Sequence, residues 1–153
     1  MKMLLVAATL MLTLVGCGSD PSVTPVPEGA LMAVISRGGL CAPPGCDTTV
    51  LVEWDGRVHL AAKPPNDLGV VPADKLAELQ NQIATADFAQ IRSHPFTGFC
   101  PTSFDGQEVV FEFNAPAGIE RIESCQVEVD YDAPLFKAVV DAVGSYAVLV
   151  TSE

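Results

Sequence analysis

The sequence predicts an α+β domain, a largely antiparallel sheet of about five strands with two helices packed on one face. Three observations carry that expectation. Residues 107–114 alternate strictly, with Val109, Phe111 and Phe113 on one side and Glu108, Val110 and Glu112 on the other. Leu76, Leu79 and Ile83, and later Leu135, Phe136, Val139, Val140 and Val143, recur at helical spacing. Paired strand-like stretches precede each helical one, so a hairpin-then-helix half recurs at about 48–86 and 107–147.

Residues 30–36 form the first expected strand, ended by Gly38 and Gly39. Residues 48–54 and 57–62 form a hairpin around Asp55 and Gly56. A two-residue loop would mix polar and apolar residues on both faces. A three-residue loop, Trp54-Asp55-Gly56 with Gly56 as a left-handed bulge, sets Val52 opposite Val58 and Val50 opposite Leu60. It leaves Glu53 and Arg57 as a charged pair outside, so this register is expected. Pro64, Pro65, Asn66 and Asp67 form a loop. Pro72 suits the first turn of a helix that runs to about Ala86, with Asp74 near the positive end of its dipole. Phe88 and Ile91 complete that packing before Ser93, His94 and Pro95 end helical structure. After a loop holding Cys100 and Asp105-Gly106 comes the alternating strand, then a turn at residues 115–118 and a partner strand over 119–126. Asp132 is the expected N-cap of the last helix, followed by Pro134. With both helices on one face, the other face of the sheet is polar or binds something.

The first sixteen of the 153 residues have the layout of an export leader: Lys2, then an apolar run over 4–15 broken only by Thr9 and Thr13. As a helix that run rises about 18 Å, short of the roughly 30 Å hydrocarbon core of a bilayer. It ends Leu14-Val15-Gly16-Cys17, which resembles the lipobox of bacterial lipoproteins. The resemblance implies cleavage before Cys17, a diacylglyceryl group on its thiol and attachment to a lipid bilayer on the extracytoplasmic side, with palmitate-type chains. Gly18 rather than Asp follows the cysteine, which in that family favours the outer membrane where the host has one. The alternative is an ordinary secreted protein in which cleavage falls near a cysteine by chance. Residues 18–29, with Pro21, Pro25 and Pro27, then form a tether reaching at most about 35–40 Å, and residues 30–153 a single globular domain.

Nineteen acidic residues against eight basic ones give a formal charge of -11, and loss of Lys2 with the leader makes it one unit more negative. That balance argues against nucleic acid or anionic lipid as partner and would steer cationic ones.

Setting Cys17 aside leaves Cys41, Cys46, Cys100 and Cys125, an even number in an exported chain, which favours disulfides with three connectivities open. Cys41–Cys46 and Cys100–Cys125 are preferred, since Ala42-Pro43-Pro44-Gly45 is a turn that brings its ends together. The rival is a four-thiolate zinc site, against which Cys100 and Cys125 stand too far apart to form a second close pair. Cys100-Pro101-Thr102, Asp105-Gly106-Gln107-Glu108, Ser124-Cys125 and Pro134-Leu135-Phe136 are together similar to a group of small exported bacterial proteins of unassigned role. That resemblance adds weight to the Cys100–Cys125 pairing and carries no catalytic residues across.

The sequence holds no nucleophile elbow, zinc-protease helix, phosphate loop or dinucleotide fingerprint, so it points to no cofactor, metal or catalytic residue. His59 is expected on the outward hairpin face beside Leu51, and His94 in a turn before Pro95. The acidic run from Glu128 to Asp132 invites a calcium reading, but an EF-type loop counted from Glu128 meets Ala133 and Val139 where Gly and Glu are needed. Trp54, at the hairpin tip, either anchors a partner or covers the sheet edge. The segment Phe96-Thr97-Gly98-Phe99, beside Cys100, either recognises a ligand or plugs the core. Trp54, Phe96 and Phe99 are thus the candidate partner contacts. The expected role is a non-enzymatic binding module on an envelope lipoprotein, with a cationic protein as the concrete partner class. The alternatives are a small exported hydrolase using His59 or His94, and a structural subunit of an envelope complex.

Overall fold

The computed structural model describes residues 29–39, 47–62 and 64–147. The leader, Cys17, the tether up to residue 28, and the Cys41 and Cys46 pair lie outside the described residues. Six strands form one antiparallel sheet: β1 (Ala30–Gly38), β2 (Thr48–Glu53), β3 (Arg57–Leu60), β4 (Asn66–Val70), β5 (Gln107–Ala115) and β6 (Gly118–Glu123), in the order β4-β3-β2-β1-β5-β6. The helices are α1 (Ala73–Thr85), the single-turn α2 (Phe88–Arg92) and α3 (Pro134–Val143), with a 3-10 turn over Pro101–Phe104.

The β2–β3 hairpin has the three-residue-loop register, Val50 opposite Leu60 and Val52 opposite Val58. Gly56 takes φ +88° and its N–H donates to the Glu53 carbonyl at 2.9 Å, the bulge that the polarity pattern requires. The outward charges pair differently from expectation. Arg57 turns back to Asp55 at 2.9 Å, while the Glu53 carboxylate meets His59 Nε2 at 2.8 Å.

Among the described residues the sheet has six strands rather than about five, because residues 66–70 pair with β3, two of them, Asn66 and Asp67, having been expected in a loop. Asn66, Asp67 and Gly69 are weak strand formers, but β4 is an edge strand with solvent on one flank. Gly69, at φ +154°, makes room for Tyr146: a Cβ there would stand 2.7 Å from its phenol oxygen.

One face of the sheet, carrying Met32, Val34, Val50, Val52, Val58, Phe111, Phe113 and Ile122, packs on Leu79 and Ile83 of α1 and on Leu135, Phe136, Val139 and Val143 of α3. Phe111 meets Phe136 edge-on at 5.3 Å and Phe88 meets Phe113 at 5.5 Å. Each such side chain contributes about 1.5–3 kcal/mol by leaving water. The caps differ from expectation by one residue. Pro72 is the N-cap of α1, just before the first turn in which it was expected. Ala133, not Asp132, caps α3, because Pro134 occupies the first helical position and holds Ala133 extended. The side chain of Asp130 accepts the Asp132 N–H at 3.0 Å instead. Among the described residues, no helix is long and apolar enough to cross a membrane.

Candidate functional site

The antiparallel order divides the molecule into two ends. At one end lie Ala30 where β1 begins, the β2–β3 turn with Trp54, the last residue of β4 and the β5–β6 turn. At the other lie the end of β1, the start of β5 and the segment running from Phe96 to Gly106. β1 spans nine residues, so roughly 25–30 Å separates them. Trp54 therefore stands far from Phe96 and Phe99, and the three candidate contacts do not form one surface.

The segment from Phe96 to Gly106 is held at several points. The Phe96 N–H donates to the Gln126 carbonyl at 3.0 Å, next to a bridge between Pro95 and Val127. Cys100 and Cys125 form a disulfide with Cα atoms 5.1 Å apart. The 3-10 turn closes with the Gly106 N–H on the Pro101 carbonyl at 2.8 Å and Asp105 left-handed at φ +61°. This framework leaves Phe99 85% and Phe104 73% exposed, their rings edge-to-face at 6.2 Å. Phe96 is half-buried beside a cleft of about 220 Å³ that it lines with Pro101, Ser124, Glu128 and Tyr131. Burial pushes the Tyr131 phenol above its usual range. Phe96 and Phe99 thus play opposite parts, one turned to the fold and one to solvent. Phe104 was not foreseen. Its signal is isolation: a large aromatic among Pro, Thr and Ser, just before Asp105-Gly106, with no periodic partner.

On the other side of the Pro95–Val127 bridge, a cleft of about 260 Å³ is floored by Ile91, Ala133 and Phe136 and rimmed by His94, Glu128 and Asp130. His94 Nδ1 lies 3.0 Å from the Gln90 carbonyl, and the Ser93 hydroxyl stands 3.5 Å from that nitrogen while donating to the same carbonyl at 2.7 Å. A separation of 3.5 Å is too long for a working Ser–His bond. His59 has the close carboxylate, Glu53, but lies along the hairpin away from both clefts. Concavity and a charged partner thus fall on different histidines.

The sheet face opposite the helices is closed by charge. Glu108, Arg37, Glu123, Arg121 and Glu112 form one chain of ion pairs, at 2.7 Å for Arg37–Glu108, 2.5 Å for Arg37–Glu123 and 2.8 Å for Arg121–Glu123, with Arg121 also on Glu112. Beside it Ala30, Ala33 and Leu51 form a second small apolar cluster. Burial alone would raise the Glu123 carboxyl, but Arg121 and Arg37 outweigh it and hold it below its usual range. The hydrogen bond that Arg37 donates to Glu108 is the main reason its guanidinium pKa is raised. Glu112 is only 3% exposed and its second oxygen has no partner. Cys100, Glu108 and Cys125 bring ligand-type atoms within 4.8 Å of one another. Both sulfurs are in the disulfide, and Glu108 is held by Arg37 and by the Cys125 N–H at 3.3 Å. In this oxidised state the trio has no free donor set.

Comparisons with family models, with curated proteins and with solved structures return no match.

Proposed function

We propose that the chain is an envelope lipoprotein, anchored on the extracytoplasmic side of a membrane through acylated Cys17, and that its domain binds a cationic protein through the end carrying Phe99 and Phe104. The exposed aromatic pair is the observation that supports this most. Two rings held in water by a disulfide and a 3-10 turn lose little freedom on binding, and aromatics of this kind dominate protein interfaces. Charge supports the partner class. Among the described residues, Asp47, Asp105, Glu128 and Asp130 lie at or near this end and form no salt bridge, whereas every arginine is paired. Cys17, with the lipobox-like residues before it, supports the anchor.

The test places a photocrosslinking residue at position 99 or 104 of the full chain in intact cells and determines the mass of the mature protein. The expected result is diacylglyceryl-modified Cys17 and one discrete adduct whose protein component is basic. An acylated protein that yields no adduct at either position overturns the binding role, and an unmodified Cys17 overturns the anchor.

A further inference from the structure

We infer that the end of the sheet opposite the aromatic loop is a lipid-facing plane, on which the anchored domain rests against the bilayer with Trp54, Val70 and Ile119 in the interfacial region. This rests on the anchor reading above and adds an orientation to it. Five large apolar residues are exposed among the described ones, and the three outside the Phe99–Phe104 pair all lie at this end, Trp54 at 48%, Val70 at 60% and Ile119 at 47%. Val70 ends β4 and Ile119 is the second residue of β6, the two edge strands, and Trp54 occupies the turn between β2 and β3. At strand spacings of about 4.8 Å they are spread over roughly 24 Å. That is too wide for a small ligand and fits a flat surface.

Charge agrees. The charged residues of the strand ends and turn here, Glu53, Asp55, Arg57 and Glu120, are all held by partners: Asp55 with Arg57 at 2.9 Å, Glu53 with the His59 imidazole at 2.8 Å and Glu120 with Arg92 at 2.5 Å, while the exposed Asp87 carboxylate beside the β5–β6 turn accepts the Gln90 N–H at 2.9 Å. Helix α1 agrees independently. Gln80 donates to the Trp54 carbonyl at 3.1 Å, which turns the flank carrying Ala73, Ala77, Gln80 and Ala84 toward this end. The opposite flank, with Asp74, Lys75 and Glu78, faces α3. An acidic molecule thus presents one end with an uncharged helix flank, hydrogen-bonded polar groups and exposed apolar side chains.

The occupant follows from chain continuity. The strand that the tether feeds begins at Ala30, opposite Glu53 and next to the Trp54 turn. Twelve residues separate Cys17 from Ala30, so the bilayer lies within about 35–40 Å of this end. Tethering raises the effective concentration of the surface to the millimolar range, so a weak interfacial affinity suffices. Tryptophan is the side chain best suited to that depth.

Trp54 is the single tryptophan of the chain and serves as its own reporter. The lipidated full-length protein is placed in phosphatidylcholine vesicles whose acyl chains are brominated. Trp54 emission should shift to shorter wavelength and be quenched about twofold or more, as for an interfacial indole. A Trp54→Phe/Phe104→Trp variant, reporting from the far end, should stay unquenched. Val70→Ser/Ile119→Ser, both surface changes, should weaken the quenching of Trp54 while leaving the thermal transition in place. Acylated, vesicle-bound protein whose Trp54 is quenched no more than the far reporter overturns the orientation and leaves the anchor standing. Protein without the acyl group overturns both.

Discussion

At the scale of single residues, His59 is the histidine whose protonation the fold favours. Its hydrogen bond to Glu53 is the largest influence, and it lifts the imidazole above its ordinary 6.5 against the effect of partial burial. A raised folded-state pKa stabilises the protein fully below the unfolded value and ceases to do so as pH rises through the folded value. His59→Gln should therefore lower the unfolding free energy read from urea titration at about pH 6 by about 1 kcal/mol or less, and much less at about pH 9. Equal losses at both pH values would mean that the ring acts through packing rather than charge. The identity of this pair was not legible in the sequence. Local register placed Glu53 opposite Arg57, but Asp55 lies two residues from Arg57 and captures it, which frees Glu53 for His59. The Arg37–Glu108 contact spans 71 positions, and no spacing rule reaches that far. Alternation put Glu108 and Glu112 on the correct face but could not say that this face is closed by paired guanidinium groups.

At the scale of elements, legibility followed how strongly polarity discriminates between registers. In β2 and β3 only one loop length keeps Val50, Val52, Val58 and Leu60 together, so the register of the hairpin was predictable, though its strands end one and two residues earlier than expected. In β5 the alternation is unbroken, and β6 returns opposite it. β4 carries no such signal, since Asn-Asp-Leu-Gly-Val favours a turn in isolation and becomes a strand only because β3 offers an open edge. Its glycine supplies a direct check. Gly69→Ala meets both an unfavourable φ of +154° and the Tyr146 phenol, whereas Gly118, at φ +125°, has nothing within 4 Å of a Cβ. Gly118→Ala should cost about 1 kcal/mol from backbone strain alone, and Gly69→Ala about 2–3 kcal/mol, measured by chemical denaturation. Equal costs would show that Tyr146 does not pack on β4 as described.

At the scale of the whole molecule, the two ends differ in the same way that their proposed surroundings do. Ion pairs and exposed aliphatic and indole groups lie where the chain enters β1, and carboxylates without a salt bridge lie at or near the end of the aromatic loop, roughly 25–30 Å away. Such a separation divides the work of recognition. Carboxylates near the rim act over about a Debye length, some 8–10 Å, and so in the proposed complex would set how often a cationic partner arrives. Phe99 and Phe104 would act only in contact, and so would set how long it stays. For the partner trapped at position 99, Asp105→Asn/Glu128→Gln should slow association several-fold and flatten its dependence on salt, with dissociation nearly unchanged. Phe99→Ser should instead speed dissociation by about tenfold or more and leave the salt dependence of association intact. Stopped-flow association at low and high ionic strength, together with dissociation by dilution, separates the two. If the carboxylate variant changes only dissociation, the acids belong to the contact surface itself, and the charge of the molecule plays no part in drawing its partner in.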